Sequence, residues 1–196
     1  QASAVDAAHY LQSEANNLAP FLYFLRENYK EAYQRIVGYV RTVIPQFGDF
    51  YLEPERGYIS LKWTDNTAND YVFNAEQFSD GSIRFIALAT LLLQPQETMA
   101  HVIIIDEPEL GLHPYAIDQL AEMIKDASLH AQIVLATQSP ALIDGFDIGC
   151  ISVIEQDEEK HCTVARNLDN ATYEEWLEEY TNSELWNKNV LGGRPV

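Results

Sequence analysis

The sequence predicts an α/β fold: a mostly parallel sheet with flanking helices, joined to N-terminal helices and short antiparallel strands. Three observations carry this. Two apolar runs, "HVIIID" at 101–106 and "AQIVLA" at 131–136, lack polar alternation. Parallel strands covered on both faces read this way. Between them, Ile117, Leu120, Ala121 and Ile124 recur at helical spacing over residues 114–129. Strand, helix and strand then make a βαβ unit, whose crossover is right-handed by rule. Upstream, residues 49–77 break into short aromatic pieces that alternate apolar and polar, as half-exposed strands do.

The elements follow in order. Residues 4–44 read as helical, with Leu22, Leu25, Tyr29, Ala32, Ile36 and Val40 at three- and four-residue steps along one core-facing stripe. Pro20 lacks an amide hydrogen, so the pattern should be interrupted there and yield two or three helices. "DFYLEP" and "GYISLKW", separated by "ERG", suggest a hairpin or two edge strands, "TDNTAND" a polar turn, and "YVFNAEQ" a third extended piece. "DGSIRFIALATLLL" at 80–93 is apolar on almost every face, which marks a helix buried all round. After the βαβ unit, "GCISVIEQ" and "KHCTVARN" form a hairpin, and acidic helices occupy 171–188. The division expected is a helical segment at 1–48 and an α/β lobe at 49–196, packed as one unit. No internal repeat or low-complexity linker separates them.

Composition narrows the function. The hydrophobic share of 47% supports a well-buried core in 196 residues. No apolar run approaches the roughly eighteen residues a membrane span needs. "QASAVDAAHY" has no basic region leading into an apolar core, so it does not read as a secretory signal. Cys150 and Cys162 fit a reducing cytoplasm as small buried thiols, and their spacing matches no zinc pattern. His9, His101, His130 and His161 show no paired metal spacing. The formal charge of −18 disfavours a broad nucleic-acid footprint. It suits a solvated acidic face.

Two stretches carry chemistry. Asp106 and Glu107 stand where a central apolar strand ends, and ligands of open α/β sheets bind outside the carboxyl ends of strands. One carboxylate there can hold a divalent cation. Its neighbour points elsewhere, because strand residues alternate faces, and it is placed to take a proton from water. The second stretch, "FSDGSIRF", puts Ser79 where it can cap the buried helix. The helix N-terminus favours an anion, and Gly81 permits close backbone approach.

Taken together, "FSDGS", then about twenty residues, then "IIIDEPELGLHP", then "IVLATQSPAL" resembles the C-terminal lobe of an ABC-type ATPase head, nearest to the SMC/RecF-like ATPases. The resemblance runs over residues 70–145, and "ELWNKNVLGGRP" is similar to the tail of such proteins. It implies ATP and Mg²⁺ as ligands. By it, Phe78, Ser79, Asp80, Gly81 and Ser82 match the ABC signature, which reaches the ATP of the opposite subunit. Asp80 replaces the glycine of transporters. Asp106 matches the Walker B aspartate that supports Mg²⁺, and Glu107 the catalytic carboxylate. Glu109 to Pro114, including Leu110, Gly111, Leu112 and His113, match the D-loop at the dimer contact, with His113 where transporters carry Asp. Gln138 stands at the switch position, where many relatives have His. An amide can hydrogen-bond phosphate or water but cannot take up charge at neutral pH.

A phosphate-cradling P-loop needs a glycine followed by lysine, and none of the nine glycines is so followed. The expectation is therefore one half of a nucleotide site, in a fragment or one chain of a split protein. An N-terminal P-loop lobe of the same or a companion chain supplies the rest, ATP joins two heads as a homodimer, and the isolated chain is inactive. DNA or another effector would act through other parts. The rival class is a non-hydrolysing dimerisation or regulatory module that keeps the head fold. The Asp106–Glu107 pair argues against it, since such modules lose the catalytic carboxylate first.

Overall fold

A computed structural model describes residues 3–4, 9–67, 71–157 and 161–193. The expectations touching 5–8, 68–70, 158–160 and 194–196, including the ends of "TDNTAND", "EQDEEK" and the C-terminal tail, lie outside the described residues. The chain divides into two compact units, Gln1–Ala136 and Thr137–Val196.

The first unit opens with a short strand, β1 (Ser3–Ala4), and two helices, α1 (Leu18–Asn28) and α2 (Lys30–Val43). Part of the stripe lies as the spacing requires: Leu22, Leu25, Ile36 and Val40 are fully buried, joined by Tyr33 and Val37, whereas Tyr29 and Ala32 are half-buried and residues 9–17, read as helical, form turns. The break between helices is not at Pro20. Pro20 sits in the first turn of α1, where an amide has no intrahelical acceptor to lose, and the chain breaks at Tyr29 instead (φ −137°, ψ 61°). The Tyr33 hydroxyl donates to Asp49 Oδ1 at 2.7 Å. Burial first, and then that carboxylate, push the Tyr33 pKa well above the usual phenol value.

Strands β2 (Phe47–Tyr51), β3 (Tyr58–Ile59), β4 (Lys62–Asp65) and β5 (Val72–Asn74) follow. β3 pairs with β1, and the other three form an antiparallel sheet in the order β2-β4-β5. Helix α3 (Asp80–Leu93) begins where Ser79 predicts and has no exposed residue after Asp80. It packs against α1, α2 and α4 (Pro114–Ala127), which accounts for its apolar circumference.

Strands β6 (Val102–Asp106) and β7 (Gln132–Ala136) flank α4 and pair in parallel, Ile103 with Ile133 and Ile105 with Leu135. The α/β class holds, although among the described residues this pair is the parallel part and every other pairing is antiparallel. One expectation needs correcting. Among the described residues only one face of the pair is covered: Ile103 is buried, but Val102, Ile104 and Val134 are 51%, 75% and 44% exposed.

The second unit contains α5 (Pro140–Ile143), the antiparallel hairpin β8 (Ser152–Asp157) and β9 (Cys162–Asn167), then α6 (Asn170–Leu177) and α7 (Asn182–Asn187). Its core gathers Ile148, Val153, Leu168, Tyr173, Leu185 and Leu191. Arg166 ties the chain end down by donating to the Leu191 carbonyl at 2.6 Å. Both cysteines are exposed, against the expected burial. Cys150 ends a 3₁₀ turn, and Cys162 opens β9, none of whose residues is buried.

Candidate functional site

The parallel ladder sets the frame. Asp106 is the last residue of β6 and pairs with Ala136. Alternation puts its side chain on the exposed face, in the same row as Val102 and Ile104. The next amide continues the ladder: Glu107 N–H donates to Ala136 O at 2.8 Å. Glu107 itself takes a left-handed backbone, φ 45°. A non-glycine residue there costs about 1–3 kcal/mol and persists only where its surroundings over-determine it. They do so here. The Glu107 carbonyl accepts from Arg84 Nη1 at 2.7 Å and from the Leu110 amide at 3.2 Å.

The chain then turns through Gly111, whose φ is 77°. Leu112 N–H closes the turn on Glu109 O at 2.9 Å. Leu110 is exposed, and Glu109 is buried. His113 is the N-cap of α4, its Nδ1 accepting from Tyr115 N–H at 3.3 Å, and Pro114 begins the helix.

The second motif is anchored differently. Phe78 is buried, and its ring stacks on Trp63 with centroids 4.8 Å apart and planes at 20°. Its side chain therefore belongs to the aromatic core, and it can offer a ligand only its backbone. Ser79 and Asp80 are exposed. Ser79 Oγ accepts from Ser82 N–H at 3.1 Å and lies 2.9 Å from Ser82 Oγ. Asp80 occupies the first turn of α3, where the helix dipole favours a carboxylate. Gly81 meets the other motif: a Cβ on it would lie 2.2 Å from the Gly111 carbonyl oxygen.

The structure thus brings Gly81 against Gly111, and α3 against Glu107 through Arg84. Gln138 belongs to the second unit, exposed between β7 and Ser139. Ser139 caps α5 by accepting from Leu142 N–H at 3.3 Å. Sequence reasoning missed Arg84. Its signal was present, since it is the one basic residue in "DGSIRFIALATLLL".

Among the described residues, no group of three or more His, Cys, Asp or Glu could hold a metal by itself. One exposed strand-end carboxylate does fit Mg²⁺, which keeps several waters and binds through one or two carboxylates plus substrate phosphates. Asp106 is that carboxylate.

Solved structures share the fold. An SMC head bound to the C-terminal winged-helix domain of ScpA matches with a TM-score of 0.60 at 17% identity, covering 86% of this chain and 50% of that one. A chain from structural work on ATP-driven dimerization and DNA-stimulated activation of SMC ATPases matches with a TM-score of 0.54 at 19% identity, covering 80% and 94%. An Smc head with an extended coiled coil from Pyrococcus furiosus matches with a TM-score of 0.58 at 16% identity, covering 81% and 39%. The chain thus spans nearly all of one such relative and half or less of the other two. No curated protein matches it. A family model described as "AAA domain, putative AbiEii toxin, Type IV TA system" matches residues 12–144. The chain belongs to that ATPase family, and its fold is that of the SMC-type ATPase head.

Proposed function

We propose that the chain supplies the C-terminal half of an ATP-hydrolysing, SMC/RecF-like ABC head. The observation that carries this reading is Glu107: a carboxylate at the end of an apolar parallel strand, on a strained backbone fixed by hydrogen bonds at both its amide and its carbonyl. Such strain collects at sites where position matters. Glu107 is the Walker B-adjacent base that orients and deprotonates the attacking water. Asp106 holds Mg²⁺, which when bound neutralises charge on the phosphate oxygens. Ser79 to Ser82 present a capped helix N-terminus to the γ-phosphate of ATP on the opposing head. Phe78 contributes packing, and Leu110 to His113 line the dimer contact as the D-loop. Gln138 serves at the switch position by hydrogen bonding rather than by carrying a proton.

The head works in the cytoplasm and is completed by an N-terminal P-loop lobe, on the same or a companion chain. Support comes from the outer face of β6 and β7. Val102, Ile104 and Val134 form an apolar row that the described residues leave exposed. ATP then joins two heads as a homodimer, and this chain alone hydrolyses nothing. An effector such as DNA acts through other parts, given the formal charge of −18.

Glu107→Gln in the complete ATPase tests the reading. It should keep ATP binding, trap a nucleotide-bound dimer and slow hydrolysis by roughly 10²–10⁴, the range for a lost general base. Single-turnover hydrolysis and gel filtration with ATP measure both. Unchanged turnover would remove Glu107 as the base. A complete wild-type head that dimerises with ATP but never turns over would make the chain a dimerisation module instead.

A further inference from the structure

We propose that Arg84 is a positioning residue for hydrolysis: from α3 it clamps the peptide carbonyl of Glu107 and so holds the catalytic carboxylate in its left-handed backbone conformation. The inference rests on the ATPase reading above. It begins with an oddity of sequence. Residues 80–93 contain a single cation, Arg84, in a helix with no exposed residue beyond Asp80. A half-buried guanidinium must be hydrogen-bonded, because leaving it unsatisfied is expensive. Its partner is neither a carboxylate nor a helix end. Arg84 Nη1 donates to the Glu107 backbone carbonyl at 2.7 Å, within the range of charge-assisted bonds.

The position of that carbonyl gives the bond its consequence. Glu107 N–H already continues the parallel ladder onto Ala136 O, which fixes the peptide before the residue. The peptide after it decides ψ and the side-chain direction. Its oxygen is held from two sides, by Arg84 and by the Leu110 amide. With φ at 45°, relaxation to an ordinary extended or right-handed backbone would re-aim the carboxylate. The Leu110 bond, at 3.2 Å and from within the same turn, is the weaker restraint and moves with the turn. Arg84 anchors the carbonyl to α3, whose residues from Phe85 onward are mostly buried.

The same helix begins at Ser79 and presses Gly81 against Gly111. A shift of the first turns of α3 therefore reaches Glu107 by two routes, through Arg84 and through the turn at Gly111. Contact of Ser79–Ser82 with one nucleotide is thereby mechanically linked to the aim of the base that serves another.

Arg84→Met keeps the length and packing of the stem and removes the donor. In the complete ATPase it should lower kcat about ten- to hundredfold, the size of one lost charge-assisted bond, and leave KM for ATP unchanged. Arg84→Lys, which can still donate one bond, should recover part of the loss. Combined with Glu107→Gln, Arg84→Met should cost nothing further, because the carboxylate it aims is gone. A raised KM at unchanged kcat, or a full further loss in the Glu107→Gln background, would overturn the proposal. If Glu107→Gln alone leaves turnover intact, it is the functional reading that fails. Amide hydrogen exchange on the full chain then still decides the positional claim. Arg84→Met should speed exchange at Glu107 and Leu110 about tenfold or more while residues 86–93 of α3 stay protected. Unchanged exchange at both amides overturns it.

Discussion

Gly81→Ala is the sharpest probe of how the two motifs are held together. The added Cβ would lie 2.2 Å from the Gly111 carbonyl oxygen and 3.1 Å from its carbon, whereas ordinary contact starts near 3.4 Å. Neither side yields cheaply. Gly81 lies in the first turn of α3, whose following turns are buried. Gly111 sits at φ 77° in a turn closed by Leu112 N–H on Glu109 O. Overpacking of this kind costs about 1–3 kcal/mol, and a backbone obstacle belongs at the upper end. The better helix propensity of alanine returns about 1 kcal/mol at most. A net loss of about 2 kcal/mol lowers the melting temperature by about 4–8 °C for a chain of this size. Gly38 supplies an internal control. It is exposed in α2, and a Cβ there meets nothing within 4 Å. Gly38→Ala should therefore raise stability by about 0.5–1 kcal/mol. Thermal melts of the three proteins, followed by circular dichroism, make the comparison. If Gly81→Ala melts with wild type or with Gly38→Ala, the close contact between Gly81 and Gly111 does not exist.

Two further perturbations test the units separately. Tyr33→Phe removes the bond to Asp49 and should cost about 1.5–3 kcal/mol at neutral pH by urea titration. Because the folded Tyr33 pKa is raised, its contribution is intact below the unfolded value of about 10 and is lost as pH rises beyond it. The gap between wild type and Tyr33→Phe should therefore narrow in alkali, and a constant gap would contradict the burial of the hydroxyl. In the second unit, the Thr172 side chain and then its amide hold the Asp169 carboxyl below the usual range. The stabilisation is present above the unfolded value of about 3.9 and lost as pH falls through the folded one. Acid should loosen α6, reported by Trp176 fluorescence. Asp169→Asn should keep the cap, since its amide oxygen still accepts, and lose that acid transition.

What was legible in the sequence was local. Ser79 announced the start of α3 because a cap needs only its own next three residues. Pro114 announced α4 because the first turn tolerates a missing amide hydrogen. The strands β6 and β7 were legible as apolar runs. What escaped was set by partners distant in sequence. Pro20 was misjudged because whether it breaks a helix or starts one depends on where the core begins, and here the chain breaks at Tyr29. The left-handed Glu107 could not be foreseen from "IIIDEPEL", because Arg84, from the preceding helix, and Ala136, from the following strand, hold it there. Phe78 read as part of a ligand loop, yet Trp63, fifteen positions earlier, takes its ring into the core.

The uncovered face of β6 and β7 links these observations to the chemistry. Its apolar runs were read as covered on both sides, and among the described residues they are not. The open row runs Val102, Ile104, Asp106 on one strand and Gln132, Val134, Ala136 on the other. Two of its members are among the more exposed large apolar side chains of the molecule, Ile104 at 75% and Val102 at 51%. Burying such residues is worth about 1.5–3 kcal/mol each, so the row favours a covering layer. The row ends in a carboxylate. Any lobe that covers Val102, Ile104 and Val134 arrives at Asp106, and the hydrophobic contact that completes the sheet also fixes the position of the group proposed to hold Mg²⁺. Glu107, one residue on, lies beyond the strand on a left-handed backbone, and its carbonyl is held by Arg84 of α3. A layer over the row, and the Arg84 bond from α3, thus bear on neighbouring residues, Asp106 and Glu107, where the strand ends.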